Sequence, residues 1–141
     1  MEDLLVVLKR FYLLVSAPAL AVFGLCYFAA DEPLVVEQVS YTLCVITYIL
    51  ALIVVPVSSL ILRRAVNKCA GLPEQEQVAT YNRAYRIRII SLNVISYLCG
   101  PLFVVTADKG GCYLFAIITL VILLSYPSQN FVFSAQNQDN D

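Results

Sequence analysis

The chain has 141 residues, 60% of them hydrophobic and only 13% charged, with a net charge of −1. A soluble domain carries about 25% charged residues, so this chain holds more apolar surface than one soluble core can bury, and its near-neutral charge implies no nucleic-acid partner. There is no histidine, and the five cysteines at 26, 44, 69, 99 and 112 form no Cys-x-x-Cys pair. That excludes a histidine base, a metal site built on imidazole or clustered thiolates and paired-thiol redox chemistry; the thiols read as small hydrophobes.

In chain order, the first element is the uncharged run Phe11 to Ala30, preceded by Lys9 and Arg10. Its outline is that of a signal peptide. However, the cleavage candidate after Ala30 has Phe28 where a small residue is needed, and "FGLC" ending at Cys26 has Leu25 where a lipobox needs a small residue. A retained span over about 11–30 is expected. The second uncharged run, Gln38 to Leu62, predicts a span over about 40–62, with its helix running on to about Cys69. Gly71-Leu72-Pro73 then reads as a helix stop followed by a helix start.

The third helix therefore starts near Pro73 and meets apolar surroundings only at about 88–107. On its polar first half Val78, Tyr81 and Tyr85 share a face. Tyrosine rings suit a boundary that is wet on one side and apolar on the other, and Arg83, Arg86 and Arg88 can extend their heads to phosphates there. With Arg63, Arg64 and Lys68 they form a candidate set of anionic-lipid or interface contacts. The fourth run predicts a span over about 111–128, with a shorter apolar core, Cys112 to Pro127, and Phe131 to Phe133 beyond it. Residues 131–141, ending in "SAQNQDND", read as a short polar tail, disordered by composition.

A bilayer core of about 30 Å needs roughly 20 mostly apolar residues per helical span. The four runs thus predict an all-α polytopic membrane protein: one domain over 1–130, a compact antiparallel four-helix bundle. If the spans alternate, eight of the nine Lys and Arg residues fall on one side, Lys109 being the exception. The positive-inside rule then puts both termini and the second connection in the cytoplasm.

Each span contains one proline, Pro18, Pro56, Pro101 or Pro127, and each carries small or polar residues at helical spacing: Ala17, Ala21 and Gly24; Thr47, Ala51 and Ser58; Asn93, Ser96 and Gly100; Cys112, Ala116 and Thr119. Small faces let helices approach closely in lipid. Counting depth from the cytoplasmic edge places Ser16, Ser58, Ser59, Asn93 and Ser125 in one layer. Asn93 is the only amide in an apolar span, and an interhelical hydrogen-bond layer is expected around it. No ionisable residue lies deep in any span, whereas ion-coupled transporters nearly always need one. No pair of residues supplies a nucleophile and its base, so no enzyme activity is expected, and no cofactor is implied. Tyr48 and Tyr97 read as buried, hydrogen-bonded phenols.

Tyr81 with Arg86 and Arg88, the internal Gly100-Pro101 and the "YPS" of Tyr126-Pro127-Ser128 together resemble a group of small four-span inner-membrane proteins of Bacteroidetes. The resemblance implies the four-span topology and a bacterial inner membrane. It transfers no functional residue, because that group carries no established activity. Two functional readings remain: a non-enzymatic accessory or scaffold subunit, whose partners are the lipid bilayer and another membrane protein or a second copy; and a small transporter or lipid-handling protein with a polar cavity near Asn93.

Overall fold

The computed structural model describes residues 2–127. The expectations for Phe131 to Phe133, for the tail and for the last residue of the fourth span lie outside them. Four helices follow in order: α1 Glu2–Ala29, α2 Glu37–Cys69, α3 Glu74–Thr106 and α4 Lys109–Leu124. There is no strand among the described residues. Helices α1, α2 and α3 are each long and apolar enough to cross a membrane.

The chain breaks where local chemistry requires it. Between α2 and α3 the Gly71 and Leu72 amides both return to the Cys69 carbonyl, at 2.8 and 3.2 Å. Pro73 stands at the α3 N-cap, where its missing N–H removes no helical bond. The Gln77 side chain ties the turn by donating to the Leu72 carbonyl at 2.7 Å. Glu74 and Glu76 in the first turn of α3 complement its dipole.

Between α3 and α4 only Ala107 and Asp108 intervene. Ala107 adopts the left-handed conformation, φ 49°, and its amide bonds the Phe103 carbonyl. Asp108 then caps α4, accepting the Gly110 amide at 3.1 Å. α4 is shorter than the 111–128 expected, with 16 residues ending at Leu124. Proline disfavours helical backbone in the residue before it, so Pro127 keeps Tyr126 out of the helix, and the Ser125 amide closes the final turn onto Val121 and Ile122.

Helix α3 is the axis of the bundle: α1, α2 and α4 each pack against it, while α2 and α4 meet only lightly. Ile89, Leu92, Ile95 and Cys99 on α3 are fully covered, together with Leu8 of α1 and Ile118 of α4. α1 is pinned to α4 by Phe23 and Phe115, whose rings stack at 3.7 Å and 4°. Gly100 lets α1 approach, since a Cβ there would lie 3.2 Å from Cys26 Sγ and 3.6 Å from Phe23 Cα. The outward faces carry large apolar side chains such as Leu14, Leu25, Leu52 and Leu124.

Two of the four small faces are the packed faces: Ala51 and Ser58 on α2, and Asn93, Ser96 and Gly100 on α3, are buried. The other two are not. On α1, Ala17 and Ala21 are exposed while Ala19 is buried; on α4, Ala116 is exposed while Gly111, Leu114, Phe115, Ile118 and Ile122 turn inward. The Phe23–Phe115 stack, and not the small residues, joins α1 to α4.

The antiparallel order places the start of α1, the end of α2, the start of α3 and the end of α4 at one end of the bundle. That basic end carries eight of the nine Lys and Arg residues. Asp31, Glu32, Glu37 and Asp108 lie at the opposite end.

Candidate functional site

Two polar places stand out. The first lies inside the apolar zone. Asn93 is 1% exposed, and its amide nitrogen donates to Ile89 O on its own helix at 2.9 Å and to Ser16 Oγ of α1 at 3.3 Å. The remaining serines of the expected layer do not join it through hydrogen bonds. Ser58 and Ser59 both donate to the Val55 carbonyl, and Ser125 donates to Val121. Depth was the right coordinate for Ser16 and Asn93. For the others, a carbonyl one turn back on the same helix is always within reach of a hydroxyl. Asn93 Oδ1 and Thr119 Oγ1 are buried without a partner among the described residues. Tyr48 and Tyr97, expected as buried phenols, do form hydrogen bonds, Tyr48 to Gly110 O at 2.7 Å and Tyr97 to Val15 O at 3.3 Å, but neither is buried: Tyr48 is exposed and Tyr97 half-buried, because each reaches a backbone carbonyl at the margin of the bundle and not in its core.

The second place is the basic end. The last carbonyls of a helix lack a partner one turn on; at the end of α4 Ile122 O already accepts the Ser125 amide, and tyrosines add donors to it and to Ser125 O. Tyr12 of α1 donates to Ile122 O at 3.0 Å, and Tyr85 of α3 to Ser125 O at 2.9 Å. Beside them lies a cleft of about 100 Å³, bordered by Arg88, Tyr81, Tyr85 and Tyr126, with Leu62, Leu124 and Pro127 as apolar walls. Tyr81 and Tyr85 stack at 6.2 Å and 20°. Both precede the apolar run that begins at Ile89, and burial raises their phenol pKa values, so both remain protonated donors at neutral pH. Arg88 Nε is buried without a hydrogen-bond partner among the described residues. The Lys9 ammonium sits 5.9 Å from the Tyr126 ring centre.

Of the eight expected interface residues, Tyr81, Tyr85 and Arg88 are thus brought together. Arg86 lies apart, over the Phe11 ring at 5.2 Å, with its Nε on Asn82. Arg63, Arg64, Lys68 and Arg83 are exposed around the same end. Sequence reasoning missed Tyr12, Lys9 and Tyr126 as members of this place. The signal available was the need of the α4 C-terminus for outside donors.

Fold and site together define a class: among the described residues, an all-helical bundle with three helices long and apolar enough to cross a membrane. Compared with protein-family models, curated proteins and solved structures, the chain matches none.

Proposed function

We propose that this chain is a multi-pass protein of a bacterial inner membrane, with both termini cytoplasmic, acting as a non-enzymatic accessory or scaffold subunit. The basic end supports the orientation. α4 rises about 24 Å against a hydrocarbon core of about 30 Å, so a fourth span requires tilt of its neighbours or local thinning. The observation that carries the subunit reading is Asn93: the one amide in an apolar span is 1% exposed, and its donors are spent holding α3 to α1 and to itself. A polar group used this way is glue, leaving the outward apolar faces for lipid and a partner helix. Extraction in mild detergent followed by native mass spectrometry tests this reading. It expects a second polypeptide, or a second copy, at fixed stoichiometry; a bare monomer contradicts it.

One observation favours the alternative, a small transporter or lipid-handling protein. Asn93 Oδ1 and Thr119 Oγ1 are orphaned oxygens on neighbouring helices, and in that reading they face a solute path. Water access at position 93 separates the two.

A further inference from the structure

We propose that the cleft at the basic end is a binding site for the headgroup of one anionic phospholipid, with Arg88 as its principal anion ligand. The guanidinium is partly withdrawn from solvent, and its Nε has no hydrogen-bond partner among the described residues. An N–H withdrawn from water without a partner is costly, and a phosphate oxygen is the acceptor whose geometry the guanidinium fork matches. Among the described residues no acidic side chain lines the cleft, and Lys9 adds a second cation beside Tyr126.

The remaining walls decide between a lipid and a free oxyanion. Leu62, Leu124 and Pro127 give the cleft an apolar flank, which suits glycerol and acyl carbons and offers nothing to inorganic phosphate. At about 100 Å³ the cleft holds several waters' worth of space, enough for a phosphodiester with its chains left outside. Its depth agrees, because Arg88 immediately precedes the apolar run from Ile89 to Ala107. Tyr85 is already committed to Ser125 O and holds the end of α4 in place as one wall. The exposed cations Arg63, Arg64, Lys68 and Arg83 draw anionic lipid to this end without selecting one molecule.

This inference rests on the membrane placement proposed above. The test uses the full-length protein in neutral detergent, with native mass spectrometry against a mixture of phosphatidylglycerol and phosphatidylcholine. Inorganic phosphate is a separate arm. The wild type is expected to retain one phosphatidylglycerol in preference to phosphatidylcholine. Arg88→Gln is expected to weaken that binding about tenfold or more, the value of a hydrogen bond to a charged group. Lys9→Gln, at the rim, keeps the inference testable should Arg88→Gln misfold, and is expected to weaken it up to about fivefold. Arg83→Gln is expected to leave it unchanged.

Equal retention of the two lipids by the wild type overturns the proposal. So does equal weakening by Arg83→Gln and Arg88→Gln, which would mean diffuse attraction. Displacement of the lipid by inorganic phosphate, in an Arg88-dependent way, would reassign the cleft to a soluble anion. Release of the protein from membranes by alkaline carbonate, without detergent, is the separate result that would remove the membrane placement itself.

Discussion

Replacing Gly100 tests the packing of α1 on α3 at its tightest point. A Cβ at Gly100 would meet Cys26 Sγ at 3.2 Å and Cys26 Cβ at 3.5 Å, with Phe23 Cα at 3.6 Å. The sulfur ends a side chain that can rotate; the Phe23 backbone can move only with α1. Gly100→Ala gains about 1 kcal/mol of helix propensity and loses a similar amount to crowding, so its net effect should lie within about 1 kcal/mol of zero. Gly100→Leu drives its extra carbons at the Phe23 backbone. Overpacking costs about 1–3 kcal/mol, and parting Phe23 from Phe115 removes a further 0.5–1.5 kcal/mol or so. After the smaller propensity gain, the net destabilisation is about 1–4 kcal/mol. Equilibrium unfolding in mixed micelles, followed by the reactivity of buried Cys44, measures both. In a Cys26→Ala background, Gly100→Ala should become stabilising by about 1 kcal/mol. If Gly100→Leu proves no worse than Gly100→Ala, α1 does not cross α3 at this point and the reasoning fails.

In the proposed membrane placement Phe23→Ala should destabilise by about 1–3 kcal/mol, below the 3–5 typical of an aqueous core, because lipid would replace much of the lost contact; the same titration reads it, and no change would deny the ring stack. Removing both tyrosine donors with Tyr12→Phe and Tyr85→Phe should cost about 0.6–1.7 kcal/mol per bond and speed amide exchange in the last turns of α4. Unchanged exchange there would mean that the two phenols do not hold the end of α4. Asp108→Ala removes the α4 cap and should cost about 0.5–2 kcal/mol, with Asp108→Asn retaining most of the stability; equal losses from the two would exclude capping as the cause.

Much of this architecture was legible because the signals were local. Gly71-Leu72-Pro73 marks the α2–α3 turn at the residues where the amides fold back on Cys69, and charge-free runs mark the long helices. The asymmetry of Lys and Arg became a spatial asymmetry once the helices alternated. The rotation of each helix was less legible. Ala17, Ala21 and Ala116 looked like a packing seam, yet they face outward. In the proposed membrane placement an alanine methyl against lipid loses nothing, so small residues mark an inward face only where a neighbour exploits them, as Gly100 does. The cleft was half legible. Arg88, Tyr81 and Tyr85 share one stretch of sequence, whereas Leu62 and Tyr126 reach the cleft from elsewhere in the chain, with Lys9 beside Tyr126, and only the fold brings them together. Nothing local distinguished Arg88 from Arg86, two residues away; one turns to the cleft and the other to Phe11.

The central claim is that the polar contact at Asn93 is sealed glue between α1 and α3. Asn93→Cys in native membranes, with the basic end made accessible to a membrane-impermeant maleimide and the product read peptide by peptide, tests it most directly. The protein carries its own references: Cys69, half-buried at the end of α2, and Cys99, 0% exposed. The account predicts that the thiol introduced at position 93 reacts no faster than Cys99. Reaction at the rate of Cys69 would contradict it and place a water-filled path between α1 and α3.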